Sequence, residues 1–544
     1  MIGRMLRALD WLDDHPRVTA VLLAATAAGG AALIALSRGL PAPAYHDEFS
    51  FLLAADTFAS GRIANPPHPF WQHFETFHVL QQPTYVSKYP PAQGLILGFG
   101  QAVGGHPIIG VWLSVGLMVA CMYWMFRAWV PGRWALLGGL LVLMQLGVSS
   151  YWAQSYWGGA VAATGGALLF GATRRLSDSP RGRDALMLGI GIAILANSRP
   201  FEGLIVSLFA AAALAWAFFR KGPAFRDTFI HRAILPILLV ITLAGGAMGT
   251  YNYATTGDVF RMPYEVYSDT YSMGSFLPWK EPRLDLEFRH PSMREYAEQW
   301  GVARLRSMRD GRVALLKFVT WSILNGLFLV GAFAVLPMLG LSQALQSRWI
   351  RLAAITTATL WILTQSTAAY PHYLAPAAAL VYVIVLESSY RLWSWNLRGL
   401  SGSLFVAATI VAELFYAGIA IASNGIHPIE HYSEMRAFGN TRERIRGRLI
   451  SETGRDLIVV KYGPDHSYHQ EWVYNRADVE ASDIVWARDM GESENRRLID
   501  HFPDRNVWLL TAGYRDSTLV GSLGEHMLLK PYPNTRTHSE ADDQ

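Results

Sequence analysis

Residues 107–129 read PIIGVWLSVGLMVACMYWMFRAW, with one charge, Arg127, near the end of the run. A bilayer core about 30 Å thick takes roughly 20 mostly apolar residues of helix to cross, and because no water is present there, every backbone polar group must bond within its own segment. This run meets that demand. Comparable runs occupy 18–37, 134–150, 157–173, 185–199, 201–219, 233–251, 313–339, 351–369, 371–388 and 402–422. The reading is a polytopic α-helical membrane protein with about eleven transmembrane helices.

Composition agrees. Of the 544 residues, 16% are charged and 51% hydrophobic, against about 25% and 45–50% in soluble domains. A net charge of +4 over this length, with no long basic run, excludes nucleic acid as a partner. The lone Cys121 permits no intramolecular disulfide and no multi-cysteine metal site. Aromatic residues gather near the ends of apolar runs (Trp124, Trp129 and Trp134; Tyr151, Trp152, Tyr156 and Trp157), the positions expected of rings anchored at a membrane interface.

Basic residues orient the chain, since cytoplasmic loops are enriched in Lys and Arg. Alternate connections carry seventeen, from Arg4 to Arg398, and the short loops of the other side only Arg62, Lys88 and Arg199. The amino terminus is therefore expected inside and, after an odd number of spans, the carboxyl terminus outside. The first run resembles a cleaved signal, with Ala42-Pro43-Ala44 as a small-residue site. Its length and the acids Asp10, Asp13 and Asp14 before it favour a retained span. Residues 1–423 are read as the transmembrane part, with outer loops at 38–106 and 252–312. Residues 424–544 are read as a small extracytoplasmic α/β domain, because Leu457-Ile458-Val459-Val460 and Val507-Trp508-Leu509-Leu510 have the form of buried strands, with a helical stretch at 492–502 between them.

The outer loops carry the candidate chemistry. Tyr45-His46-Asp47-Glu48-Phe49 opens a short helix whose apolar residues Phe49, Leu52, Leu53 and Phe58 run to Ser60-Gly61. Two acids there serve either as a helix cap that favours the dipole or as a functional pair, Asp47 a general base tuned by Glu48 or His46. In Ser87-Lys88-Tyr89-Pro90-Pro91 the prolines fix the backbone and hold Lys88, an ammonium suited to a lipid phosphate or an interfacial lysine reaching water. Asn197-Ser198-Arg199-Pro200-Phe201-Glu202 lies at the outer junction of two spans, where Arg199 is a second phosphate ligand oriented by Glu202, or half of a structural ion pair. His372-Tyr373-Leu374-Ala375-Pro376 opens a late span on the same side.

Together these pieces resemble the membrane-embedded GT-C glycosyltransferases, particularly bacterial relatives of the protein O-mannosyltransferases and of the lipid A aminoarabinose transferases. In that class an Asp, often followed by Glu, stands just after the first span, as Asp47-Glu48 does, and a Lys-Pro-Pro element lies later in the loop. Here Tyr89 is inserted into that element. The resemblance implies a donor sugar on a polyprenyl phosphate, an envelope acceptor (protein, lipid or glycan), and a place at the outer face of a bacterial inner membrane. It also implies inverting transfer, with Asp47 as base, Lys88 and Arg199 on the departing phosphate, and His46, Tyr89, Glu202, His372 and Tyr373 in support. No cofactor or metal is required, although a divalent ion on Asp47 and Glu48 stays open. A multi-span transporter or lipid flippase is the alternative; it would place ionisable residues near mid-span, whereas these gather at one face.

Overall fold

The computed structural model describes residues 2–148, 150–275, 277–334, 336–365, 369–397, 400–422, 432–452, 454–464, 466–513 and 529–533. A helix forms at each of the eleven predicted runs, and seven are long and apolar enough to cross a membrane: Pro16–Arg38, Ile108–Trp129, Pro200–Arg220, Pro223–Thr256, Gly311–Val330, Ala375–Trp393 and Gly402–Ala422. The protein is thus a multi-pass helical membrane protein, and the count of eleven is not met on length and hydropathy alone. The four that fall short have a physical reason in common or in part. Ala160–Asp178 is rich in Ala, Gly and Thr and is buried along nearly its whole length, and a helix that faces other helices needs small residues more than lipid-facing apolar ones. Gly182–Ala196, Arg348–Thr364 and the 132–148 helix are short, and the last ends in a π-helical turn, Leu143–Val148.

The aromatic residues Tyr151, Trp152, Tyr156 and Trp157 depart from expectation. They do not ring the helix ends but are all buried in the helical core, packed between Phe328 and His372. Residues 150–159 fold inward as a loop, so their rings meet protein rather than headgroups.

After the bundle, the two apolar runs of the tail become the central strands of a sheet ordered Ile484–Arg488, Arg455–Tyr462, Arg505–Ala512, Leu529–Pro531. The first three are parallel, and the last pairs antiparallel with its neighbour. Leu457 to Val460 form an unbroken apolar run because both faces of the strand are covered. Ile458 and Val460 pack on Phe438, Ile445 and Leu449 of the helix Tyr432–Ser451. Leu457 and Val459 pack on Leu498 and also on Phe49, Leu53 and Phe74 of the first loop, which joins Pro16–Arg38 to Ile108–Trp129. The tail and that loop therefore share one core. The predicted boundary at 423/424 lies outside the described residues.

Candidate active site

The helix His46–Ala59 carries both predicted acids in its first turn, and the structure sends them to different places. Glu48 is buried and turns back on the chain: its Oε2 accepts the amides of Ala44 (2.9 Å) and Tyr45 (3.1 Å), and its Oε1 the amide of Tyr156 (3.0 Å). The capping role offered for the pair thus belongs to Glu48, whose two oxygens both face backbone amides.

Asp47 turns the other way. It accepts a hydrogen bond from the Tyr89 hydroxyl and lies 3.6 Å from His78 Nδ1, with its side chain 20% exposed. Three contacts fix it relative to Lys88. Ser50, one turn along, bonds the His78 carbonyl (2.6 Å) and Ser87 Oγ (2.7 Å). The strands Val79–Leu80 and Val86–Ser87 pair antiparallel, and Lys88 N–H donates to the His78 carbonyl (3.1 Å). The helix Pro91–Gly104 then packs on His46–Ala59 so closely that a Cβ at Gly94 would stand 2.6 Å from that of Ala54. Glycine is required there by proximity.

Lys88 is buried, with its ammonium over the rings of Tyr267 (4.5 Å), Tyr89 (5.0 Å) and Tyr264 (5.4 Å). Arg199 stacks on Tyr373 (4.7 Å) and acts electrostatically on Asp47. Among the described residues, neither cation makes a hydrogen bond or an ion pair with a carboxylate. Burial raises the Asp47 pKa, with Lys88, Tyr89 and Arg199 opposing it. Burial also lowers the Lys88 pKa to about 7, with Asp47 opposing it. Both shifts have one cause: a group withdrawn from water favours its neutral form.

Other predicted residues divide. Tyr89 and Tyr373 join the cluster. Glu202 is buried beside Arg199 but forms no ion pair with it among the described residues. His46 bonds the Tyr474 hydroxyl (2.8 Å), facing the tail rather than Asp47. His372 bonds the Tyr151 hydroxyl (3.0 Å) and packs on Trp157, so it braces the wall behind Tyr373.

Several residues escaped the sequence reading. His78 has φ +62°, an uncommon conformation for a residue with a Cβ. Its Nδ1 lies 3.1 Å from the Tyr89 hydroxyl, its Nε2 2.9 Å from that of Tyr296, and its N–H bonds the Tyr267 hydroxyl (3.0 Å). Burial holds its ring well below the usual pKa, helped by Lys88 and His46. Tyr264, Tyr267 and Tyr271 recur at spacings of three and four on the helix Pro263–Tyr271, a one-face signal that marked the second loop as a partner.

Metal-ligand side chains meet at one described place, where Glu480 Oε1 lies between His68 Nε2 (2.9 Å) and His501 Nε2 (2.7 Å). His68 Nδ1 accepts the Phe70 amide (3.0 Å), so the proton of the neutral ring sits on Nε2 and is given to Glu480. A metal-bound histidine shows the reverse pattern, donating through its distal nitrogen. These residues fasten the tail to the first loop.

No family profile matches this chain, and no curated protein is similar to it in sequence. Among solved structures, ArnT from Cupriavidus metallidurans is similar at a TM-score of 0.48 and 12% identity over 89% of this chain and 91% of that one; it has also been solved bound to undecaprenyl phosphate. The oligosaccharyltransferase of Archaeoglobus fulgidus gives 0.46 and 10% over 92% and 69%. The mycobacterial arabinofuranosyltransferase AftD gives 0.44 and 13% over 90% of this chain and 35% of that one. The roles of residues in this chain rest on its own geometry.

Proposed function

We propose that this protein is an inverting glycosyltransferase that moves a sugar from a polyprenyl phosphate to an envelope acceptor at the outer face of a bacterial inner membrane. One observation carries the reading: a buried Lys88 ammonium, ringed by tyrosines and without a carboxylate partner among the described residues, stands beside an activated acid. A buried charge is costly unless paired, and a lipid-borne phosphate is an anion that reaches this depth. Asp47 takes the proton of an acceptor hydroxyl as its oxygen attacks the anomeric carbon. The bond from that carbon to the phosphate oxygen breaks, and the electron pair leaves on the polyprenyl phosphate, whose charge Lys88 and Arg199 stabilise. Tyr89 and Tyr373 hold the base and the guanidinium, Glu48 sets the helix that bears the base, and all eleven helices lie in the membrane with the amino terminus inside. The leaving charge is met by side-chain cations.

Mass spectrometry of lipid-linked sugars in cells with and without the gene tests this. Loss of function is expected to accumulate one polyprenyl-linked sugar, and an Asp47→Asn copy should not clear it. An unchanged lipid-linked pool would contradict the proposal.

A further inference from the structure

Tyr89 has one hydroxyl hydrogen, and two acceptors lie within its reach: Asp47 and His78 Nδ1. A carboxylate only accepts. If the hydrogen goes to Asp47, His78 must be a donor at Nδ1, and a neutral ring that donates there accepts at Nε2. The group facing Nε2 is the Tyr296 hydroxyl at 2.9 Å, which has a hydrogen to give. All three bonds can then run one way, from Tyr296 to His78 to Tyr89 to Asp47.

We infer that Tyr296 and His78 are positioning residues of the site: by fixing the tautomer of the His78 ring they direct the Tyr89 hydroxyl hydrogen at Asp47 and hold that carboxylate as an acceptor. The inference rests on Asp47 being the base. It joins the second outer loop to the site, because Tyr296 belongs to that loop, where it packs on Phe77 (4.8 Å) of the first loop and on Tyr468 (5.6 Å) of the tail. The base is therefore complete only with all three outer regions docked. The charged groups that act on Asp47 are Lys88 and Arg199, and the hydroxyls of Tyr267, Tyr296, Tyr373 and Tyr474 also interact with it electrostatically.

Without the Tyr296 hydroxyl, the His78 proton can move to Nε2. Nδ1 then competes for the Tyr89 hydrogen, and Asp47, losing a donor to its ionised form, titrates higher. The test uses the full-length protein in liposomes and dicyclohexylcarbodiimide, which modifies protonated carboxyls in apolar surroundings. Modification of Asp47 is followed by peptide mass spectrometry across pH. Tyr89→Phe should raise the midpoint by about one pH unit and Tyr296→Phe by roughly half of that, an order-of-magnitude expectation for one lost hydrogen bond. Adding His78→Phe to Tyr296→Phe removes the competing acceptor and should bring the midpoint back down, although it deletes more of the structure. A merely structural role predicts the reverse order. An unchanged midpoint in Tyr296→Phe, which retains the ring and its packing, overturns the inference. Because the readout needs no sugar donor, that failure is distinct from a failure of the transferase reading, which would appear as absence of transfer by the wild type.

Discussion

Two regions meet at the start of one helix and treat adjacent acids in opposite ways. Glu48 faces backbone: three amides from two segments occupy its oxygens. Asp47 faces side chains: a tyrosine, a histidine and two cations that lack carboxylate partners among the described residues. Both acids have raised pKa values, with burial as the first cause, so the shift alone does not separate them. What separates them is who satisfies the charge. Glu48 is satisfied by backbone amides that cannot leave. Asp47 is held through one oxygen, which leaves the other for the proton that the proposed reaction transfers.

The comparison can be broken most sharply by exchanging the two acids for their amides. Asp47→Asn should lower sugar transfer by roughly 10²–10⁴-fold, the scale of general-base catalysis, with thermal unfolding nearly unchanged. Glu48→Gln should do the opposite, costing ~1–3 kcal/mol of stability as a buried amide loses its acceptor, measurable by thermal unfolding in detergent, with transfer by the folded fraction largely kept.

Next in size is the cation. Lys88→Ala removes a charged partner of the donor phosphate, so polyprenyl-phosphate binding should weaken by ~1.5–3 kcal/mol, or roughly 10- to 150-fold, with the acceptor KM unchanged. Lys88→Arg should recover part of this while losing the fit to the tyrosine cage. Equal donor affinity in wild type and Lys88→Ala would remove Lys88 from the site.

A third effect sharpens the contrast through pH. With the Lys88 pKa lowered to about 7 from 10.5, the unfolded chain holds a proton there that the empty folded site lacks. Lys88 therefore makes the empty protein more stable as pH rises from about 7 to about 10. Anion binding runs the other way, because above about pH 7 the amine must first take up a proton. Calorimetric titration with a short-chain polyprenyl phosphate should give affinity falling by up to about tenfold per pH unit, with proton uptake. The slope should vanish in Lys88→Arg.

The smallest expected effect lies at the seam between tail and loop. Asp56 pairs with Arg476 (2.8 Å) and accepts the Ala477 amide (2.9 Å). With Arg476 well exposed, Asp56→Asn should cost about 1 kcal/mol or less.

Much of this was legible in the chain. Hydropathy marked eleven runs at each of which a helix forms, because burial in lipid or protein demands the same apolar residues, but for that reason it did not distinguish lipid-facing helices from the interior Ala160–Asp178. Asp47, Lys88-Tyr89, Arg199 and Tyr373, from four separate stretches of the sequence, come together in the fold. Which acid faced the site was not legible: it depends on the rotation of one helix turn and on an amide at Tyr156, over 100 residues away. His78 and Tyr296 carried no local pattern, since their meaning lies in a contact between two loops. The paired strands of the tail read as buried, but nothing in their sequence says that the first loop supplies one cover.

The central claim is that Asp47 and the caged Lys88 act on a sugar linked to polyprenyl phosphate. The most direct measurement incubates the purified protein in liposomes with the radiolabelled polyprenyl-phosphate-sugar pool extracted from membranes of its source organism, and follows free polyprenyl phosphate and labelled acceptor together. The account predicts their one-to-one appearance with wild type and a roughly 10²–10⁴-fold slower rate with Asp47→Asn. Equal rates with both proteins, or no cleavage of any lipid-linked sugar by the wild type, would contradict it.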